Sequence, residues 1–147
     1  MDKLEIKAAI QVQKPILEVF EAIVDPKEMT QYFISRGSGR IETDAVLTWE
    51  FPEFDGSFQI KVKDVNAPDF LSFEWESTLV TMTLTSTPEN NTVVRITEGS
   101  KDNDEAGRKW LMQNTEGWAN FLACLKAWVE YKIHLRVGAF DYMQNQT

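Results

Sequence analysis

The side chains of this 147-residue chain best suited to covalent catalysis are two, one cysteine (Cys124) and one histidine (His134). A Cys–His pair makes a thiolate and its base only if the two side chains come within hydrogen-bond reach. Ten residues separate them, about 15 Å along the axis of a continuous helix, so the spacing argues against a dyad. A Ser-His-Asp arrangement would need the same histidine, and no nucleophile elbow accompanies it. One His and one Cys cannot assemble a zinc site either. KDNDEAG (101–107) gathers Asp102, Asp104 and Glu105 but lacks the spacing and distal Glu of a calcium loop; helix capping and solvation account for it. SRGSGR (35–40) has the glycines of a phosphate loop without its Lys-Ser/Thr. Glu50, Glu74 and Glu76 fall on polar strand faces, and Glu116 beside Gly117 is a weak general acid. No catalytic constellation, metal site or cofactor site is expected.

What the chain holds in excess is aromatic area, with five Trp, nine Phe and three Tyr. By strand parity or helical stripe, Phe33, Trp49, Phe51, Phe58, Phe73, Trp75, Met82, Trp118, Phe121 and Leu122 share one interior. Any one ring is most simply a core residue. Taken together they are also the lining of a small-ligand cavity, with Asn114 and Glu116 as orienting groups at the helix entrance. The inward set is so poor in polar atoms that a charged ligand is disfavoured. Gly117 sits beside Trp118 in the best helix of the chain, where glycine costs ~1 kcal/mol relative to alanine. It either lets the helix bend or approach the aromatic wall, or leaves space for a ligand.

The elements that must position these groups read clearly. Residues 3–13 alternate apolar and polar, with Leu4, Ile6, Ala8, Ile10 and Val12 on one face, the pattern of a half-buried strand. Pro15 suits a first helical turn, and Ile16, Val19, Phe20 and Ile23 follow at helical spacing. Asp25-Pro26 starts a second short helix carrying Met29, Tyr32 and Phe33, and 35–40 is a flexible turn. Alternation then returns around 47–51, 58–63, 71–76, 80–85 and 92–98, with turns at Asp55-Gly56, Ala67-Pro68-Asp69 and Asn90-Asn91. The last of these segments turns Val94 and Ile96 inward. Short loops favour an antiparallel meander, apolar on one face and polar on the other. Asp102 and Glu105 form a capping box for a helix whose Trp118, Phe121, Leu122, Leu125, Trp128 and Val129 make one stripe. That helix covers the apolar face, giving an α+β fold.

A net charge of −8, with dispersed lysines and arginines, argues against nucleic-acid binding and against docking on an anionic membrane. A single cysteine suits a reducing compartment. The first residues lack the apolar run of a signal peptide, and no segment reaches the ~20 apolar residues of a membrane span. A cytoplasmic protein is expected.

Several segments are similar to one family: VFEAIVDPKEMTQYF (19–33), LTWEF (47–51), DFLSFEWE (69–76), VRITEGS (94–100) and TEGWANFLACLKAWVEY (115–131). In this order the chain resembles the bacterial homologues of the activator of heat-shock-protein-90 ATPase, within the START-like helix-grip superfamily. Tyr32 stands where that family often has Trp, Asp44-Ala45 replaces a usual glycine, and Glu98 stands where many relatives carry His. The resemblance implies a helix-grip fold: a curved antiparallel sheet of six or seven strands, with two short helices after the first, wrapped around a long C-terminal helix. It divides the chain into a domain over 1–133 and a tail over 134–147 that packs on the domain or on a partner. It implies an apolar cavity between sheet and helix for a small hydrophobic molecule, held by a non-catalytic carrier or sensor. The alternatives are a chaperone-associated interaction domain, with a chaperone or a second copy as partner, and a polyketide-cyclase-like enzyme. The last would require a polar group inside the cavity, and strand parity assigns none there.

Overall fold

The period-two segments form strands and the long period-3.6 segment forms a helix. The computed structural model describes residues 2–145. Its order is β1 (Lys3–Val12), α1 (Ile16–Val24), α2 (Pro26–Met29), β2 (Arg36–Gly37), β3 (Val46–Glu50), β4 (Phe58–Asn66), β5 (Phe70–Trp75), β6 (Thr78–Ser86), β7 (Thr92–Asp102) and α3 (Glu105–Tyr131), then a 3-10 turn over Asp141–Asn145. The seven strands make one antiparallel sheet in the order β1-β7-β6-β5-β4-β3-β2. The chain leaves β1 at one edge, crosses through α1 and α2 to the other, and returns strand by strand until β7 lies beside β1. Register shifts at Leu4/Glu5 and between Val62 and Val65 bend the strands, and α3 lies across the apolar face.

Parity delivers Leu47, Ile60, Leu71, Phe73, Val80, Val94 and Ile96 to that face, all buried. They join Phe121, Leu122, Leu125 and Val129 of α3 in one continuous cluster. Full burial of each such side chain is worth about 1.5–3 kcal/mol. Tyr32 ties α2 to α1, its hydroxyl donating to the Ala22 carbonyl at 2.8 Å. Burial holds that phenol well above its ordinary pKa.

Four local expectations change. Pro15 is the N-cap of α1 in extended backbone rather than part of its first turn. The 35–40 segment is not simply a flexible turn but contains β2, because Ser35 and Ser38 donate backbone N–H groups to Glu50 and Thr48. Gly37 is needed there, since a Cβ would stand 2.7 Å from the Ile34 side chain. The last strand runs past Glu98 to Asp102, because β1 pairs with it as far as Lys3 opposite Asp102. That extension moves the helix start, so the cap of α3 is Asp104, whose carboxylate accepts from Gly107 N–H at 2.7 Å.

Beyond α3, Lys132 caps the helix in the left-handed conformation (φ 54°). His134 stacks on Trp128 with ring centres 5.0 Å apart, and Arg136 reaches Glu53. Of the 134–147 segment, 146 and 147 lie outside the described residues, as does residue 1. Among the described residues no helix is long and apolar enough to cross a membrane, and no cluster of His, Cys, Asp and Glu could hold a metal ion.

Candidate functional site

A cleft of about 750 Å³ opens at one end of the sheet, between the ends of β4 to β7, the first half of α3 and the C-terminal segment. Five of the rings that line it are each placed by a different element. Phe33 follows α2, Phe51 follows β3, Phe58 opens β4, Trp75 closes β5 and Trp118 comes from α3. Phe51 stacks on Trp75 at 5.8 Å and 9°, while Trp118 meets Trp75 edge-on at 6.0 Å and 80°. Such ring pairs are worth about 0.5–1.5 kcal/mol beyond the area they bury, so the wall is a rigid surface.

The structure therefore gathers Phe33, Phe51, Phe58, Trp75, Asn114, Gly117 and Trp118 around one space. It does not bring Trp49, Phe73, Met82, Phe121 and Leu122 there; these are packed in the core behind it. Parity or the helical stripe points them to the apolar face, but of the strand rings only those near strand ends reach the cleft. Phe73 and Met82 lie further along their strands, and Trp49 is enclosed by Phe33, Phe73 and Trp75. Gly117 faces open space, with nothing within 4 Å of a Cβ built on it. Close approach to the wall does not account for it.

An interior without polar groups is not what the structure shows. Glu98 continues the inward parity of Val94 and Ile96, lines the cleft and is 3 % exposed. Trp118 Nε1 donates to its Oε1 at 2.8 Å and Asn114 Nδ2 at 3.3 Å. The Thr78 hydroxyl has two acceptors for its single proton, Glu98 Oε2 at 2.5 Å and the Trp75 carbonyl at 3.1 Å. The shorter contact takes it. Three neutral donors thus face one carboxylate, and among the described residues no cation lies within ion-pair distance of it. The parity that turns Val94 and Ile96 inward already reaches Glu98 within the expected strand of 92–98.

The rim adds charge. Glu53, Glu76 and Glu116 line it with Lys101 and Arg136. Lys101 sits over the Trp110 ring at 5.5 Å. Arg136 pairs with Glu53 at 2.6 Å and lies over Phe33 and Phe140. Glu50 and Glu74 are elsewhere, Glu74 bridged to Lys63 at 3.1 Å and Glu50 3.7 Å from Arg36. Cys124 and His134 are not brought together, since the His134 ring stacks on Trp128 and its Nδ1 lies 3.1 Å from the Gln31 carbonyl. Burial pushes the Cys124 thiol up, against a smaller opposing pull from Arg136, which leaves it a poor nucleophile.

A one-sided antiparallel sheet gripping a long C-terminal helix, with a cleft at one end of the grip, defines the START-like helix-grip class. Within that class the chain belongs to the family described as "Activator of Hsp90 ATPase homolog 1-like protein", whose model matches residues 13–130. A solved protein of Staphylococcus saprophyticus is similar to it at 31% identity, over 90% of this chain and 96% of that one, with a TM-score of 0.81. DynU16, a putative protein of the dynemicin biosynthetic locus, is 25% identical over 87% of this chain, which spans only 48% of that one (TM-score 0.77). The Aha1 dimer of Colwellia psychrerythraea shares the fold at 17% identity, over 87% of this chain and 97% of that chain (TM-score 0.75). No curated protein matches the chain.

Proposed function

We propose that the cleft binds a small, mainly apolar molecule and that the domain is a cytoplasmic carrier or sensor of it. The observation that carries this reading is the wall of rings around about 750 Å³, a volume within the range of ~300–1,000 Å³ for ligand pockets. Core packing alone would not leave Phe58, Trp75 and Gly117 around an unfilled space. The similarity to a putative protein of a biosynthetic locus fits a domain that handles small organic molecules. Lipophilic aromatic probes should raise the melting temperature and quench tryptophan emission with one-to-one stoichiometry, because Trp75 and Trp118 line the cleft. A panel of such probes giving neither effect would remove this reading.

Two other readings each have one observation in their favour. Tyr131, Ile133, Leu135 and Val137 are exposed around the end of α3, Val137 at 81 %, and would suit a chaperone or a second copy of the chain. Sedimentation and a chaperone ATPase assay test that role, which a monomer without stimulating activity would exclude. Glu98 is a polar group inside the cleft and so supports a polyketide-cyclase-like enzyme. Turnover of an enolisable substrate that disappears in Glu98→Gln would establish it, and unchanged substrate would count against it.

A further inference from the structure

We infer that the ligand is a cation, an apolar molecule carrying an amine, with Glu98 as its counter-charge. The inference rests on the apolar-cleft reading and goes on to the chemical class of the occupant. Buried carboxylates are ordinarily paired with a cation. Glu98 is 3 % exposed, and its contacts are an indole N–H, an amide N–H and a hydroxyl. All three point donors at it, the arrangement an acceptor-only carboxylate requires. None of them carries charge.

Neither basic side chain of the lining pairs with Glu98. Arg136 is held by Glu53 at 2.6 Å, and Lys101 lies over Trp110. A carboxylate has about four lone-pair positions, and three donors leave room for one more. Glu98 lines the cleft, so a bound molecule can supply that donor. The walls around it favour the same sign of charge. Trp75 and Trp118 line the same cleft as Glu98, and aromatic rings are compatible with cations. Among the charged lining residues, Glu53, Glu76, Glu98 and Glu116 stand against Lys101 and Arg136, so the local field is negative. An anionic ligand could reach Lys101, but it would meet four carboxylates against two basic side chains, one of them paired with Glu53.

Three probes of one shape separate the possibilities: 4-phenylbutylamine, 4-phenylbutan-1-ol and 4-phenylbutanoate, titrated calorimetrically into the full chain at low ionic strength. The amine should bind about tenfold tighter than the alcohol, a difference of ~1.4 kcal/mol, and the carboxylate should bind weakest. In Glu98→Gln, which keeps a carbonyl oxygen for the Trp118 N–H, the amine should fall to within about twofold of the alcohol measured in the same variant. An alcohol that binds as tightly as the amine overturns the cation inference and leaves the apolar cleft standing. An amine preference that survives Glu98→Gln also overturns it, assigning the effect to the rim acids. Failure of all three probes to bind removes both the inference and the cleft reading. If Glu98→Gln does not fold, Glu76→Gln and Glu116→Gln decide: an amine preference kept in both supports Glu98 as the counter-charge, and one lost with either overturns it.

Discussion

Replacing Gly117 separates stability from binding at one position. The residue lies well inside α3, a helix of 27 residues, and a Cβ built on it meets nothing within 4 Å. Gly117→Ala therefore gains the helix-propensity difference of ~0.8–1 kcal/mol with no steric cost. Little burial adds to this, because the new methyl faces open space. Across 147 residues that gain raises the melting temperature by about 2–5 °C. In urea it should appear as a higher midpoint at unchanged slope. Gly117→Leu keeps the propensity gain but extends a branched side chain from the cleft wall, so probe binding should weaken while stability holds or rises. The two effects must come apart. If Gly117→Ala lowers stability, the helix depends on a bend or close approach that the open surroundings do not reveal. If Gly117→Leu binds the aromatic probe as tightly as wild type, the probe does not lie along this face.

Three further expectations follow from the hydrogen bonds and burial. Glu98→Ala should cost about 2–3 kcal/mol in urea unfolding, because the Trp118 N–H is left buried without a partner, whereas Thr78 can turn to the Trp75 carbonyl. Glu98→Gln should cost less than half as much, and equal losses would show that the shape rather than the bonds matters. Glu130 pins the end of α3 to the end of β1, accepting from Gln13 N–H at 3.0 Å and from Lys126. Burial would raise its pKa, but these bonds outweigh it and hold the carboxyl below its ordinary value. A lowered folded value means stabilisation that is complete above the unfolded pKa of about 4.3 and is lost as pH falls through the folded one. Glu130→Gln should thus cost ~1–2 kcal/mol at neutral pH and progressively less as pH falls through the folded pKa; a deficit that does not shrink in acid would contradict the assignment. Cys124, buried with its thiol pushed up, should alkylate far more slowly in the native protein than in urea, and equal rates by mass spectrometry would refute its burial.

Much of the fold was legible because one-sided sheets write their parity directly into sequence. Leu47-Trp49-Phe51 and Val80-Met82-Leu84 alternate against polar neighbours, and all six are buried. The stripe of α3 was equally plain, and Trp118, Phe121, Leu122, Leu125 and Val129 all face inward. What failed were boundaries that depend on a distant partner. Strand β2 has two residues and no period to detect; it exists because the β3 backbone offers it bonds. The extension of β7 to Asp102 depends on β1, nearly a hundred residues away in sequence. Once β7 grew, the helix cap moved from Asp102 to Asp104.

Position along the sheet decides which inward residues reach the site. Parity says which face a residue takes, but not how far along the sheet the helix covers that face. Trp49 and Trp75 are two of the largest inward rings, yet one is sealed in the core and the other borders the cleft. The difference is position relative to the end of the grip, which a period-two pattern does not encode. Glu98 is the opposite case: its place was encoded, two residues beyond Ile96 on the inward face of a strand expected over 92–98. An acid on an apolar face is costly unless donors meet it. Here they arrive from β6 and α3, as Thr78, Asn114 and Trp118. An inward Glu flanked by Val94 and Ile96 is therefore the point at which the packing rule and the chemistry of a site diverge. The two elements that converge on it spend three polar groups on holding a carboxylate where a hydrophobic residue would have packed more simply.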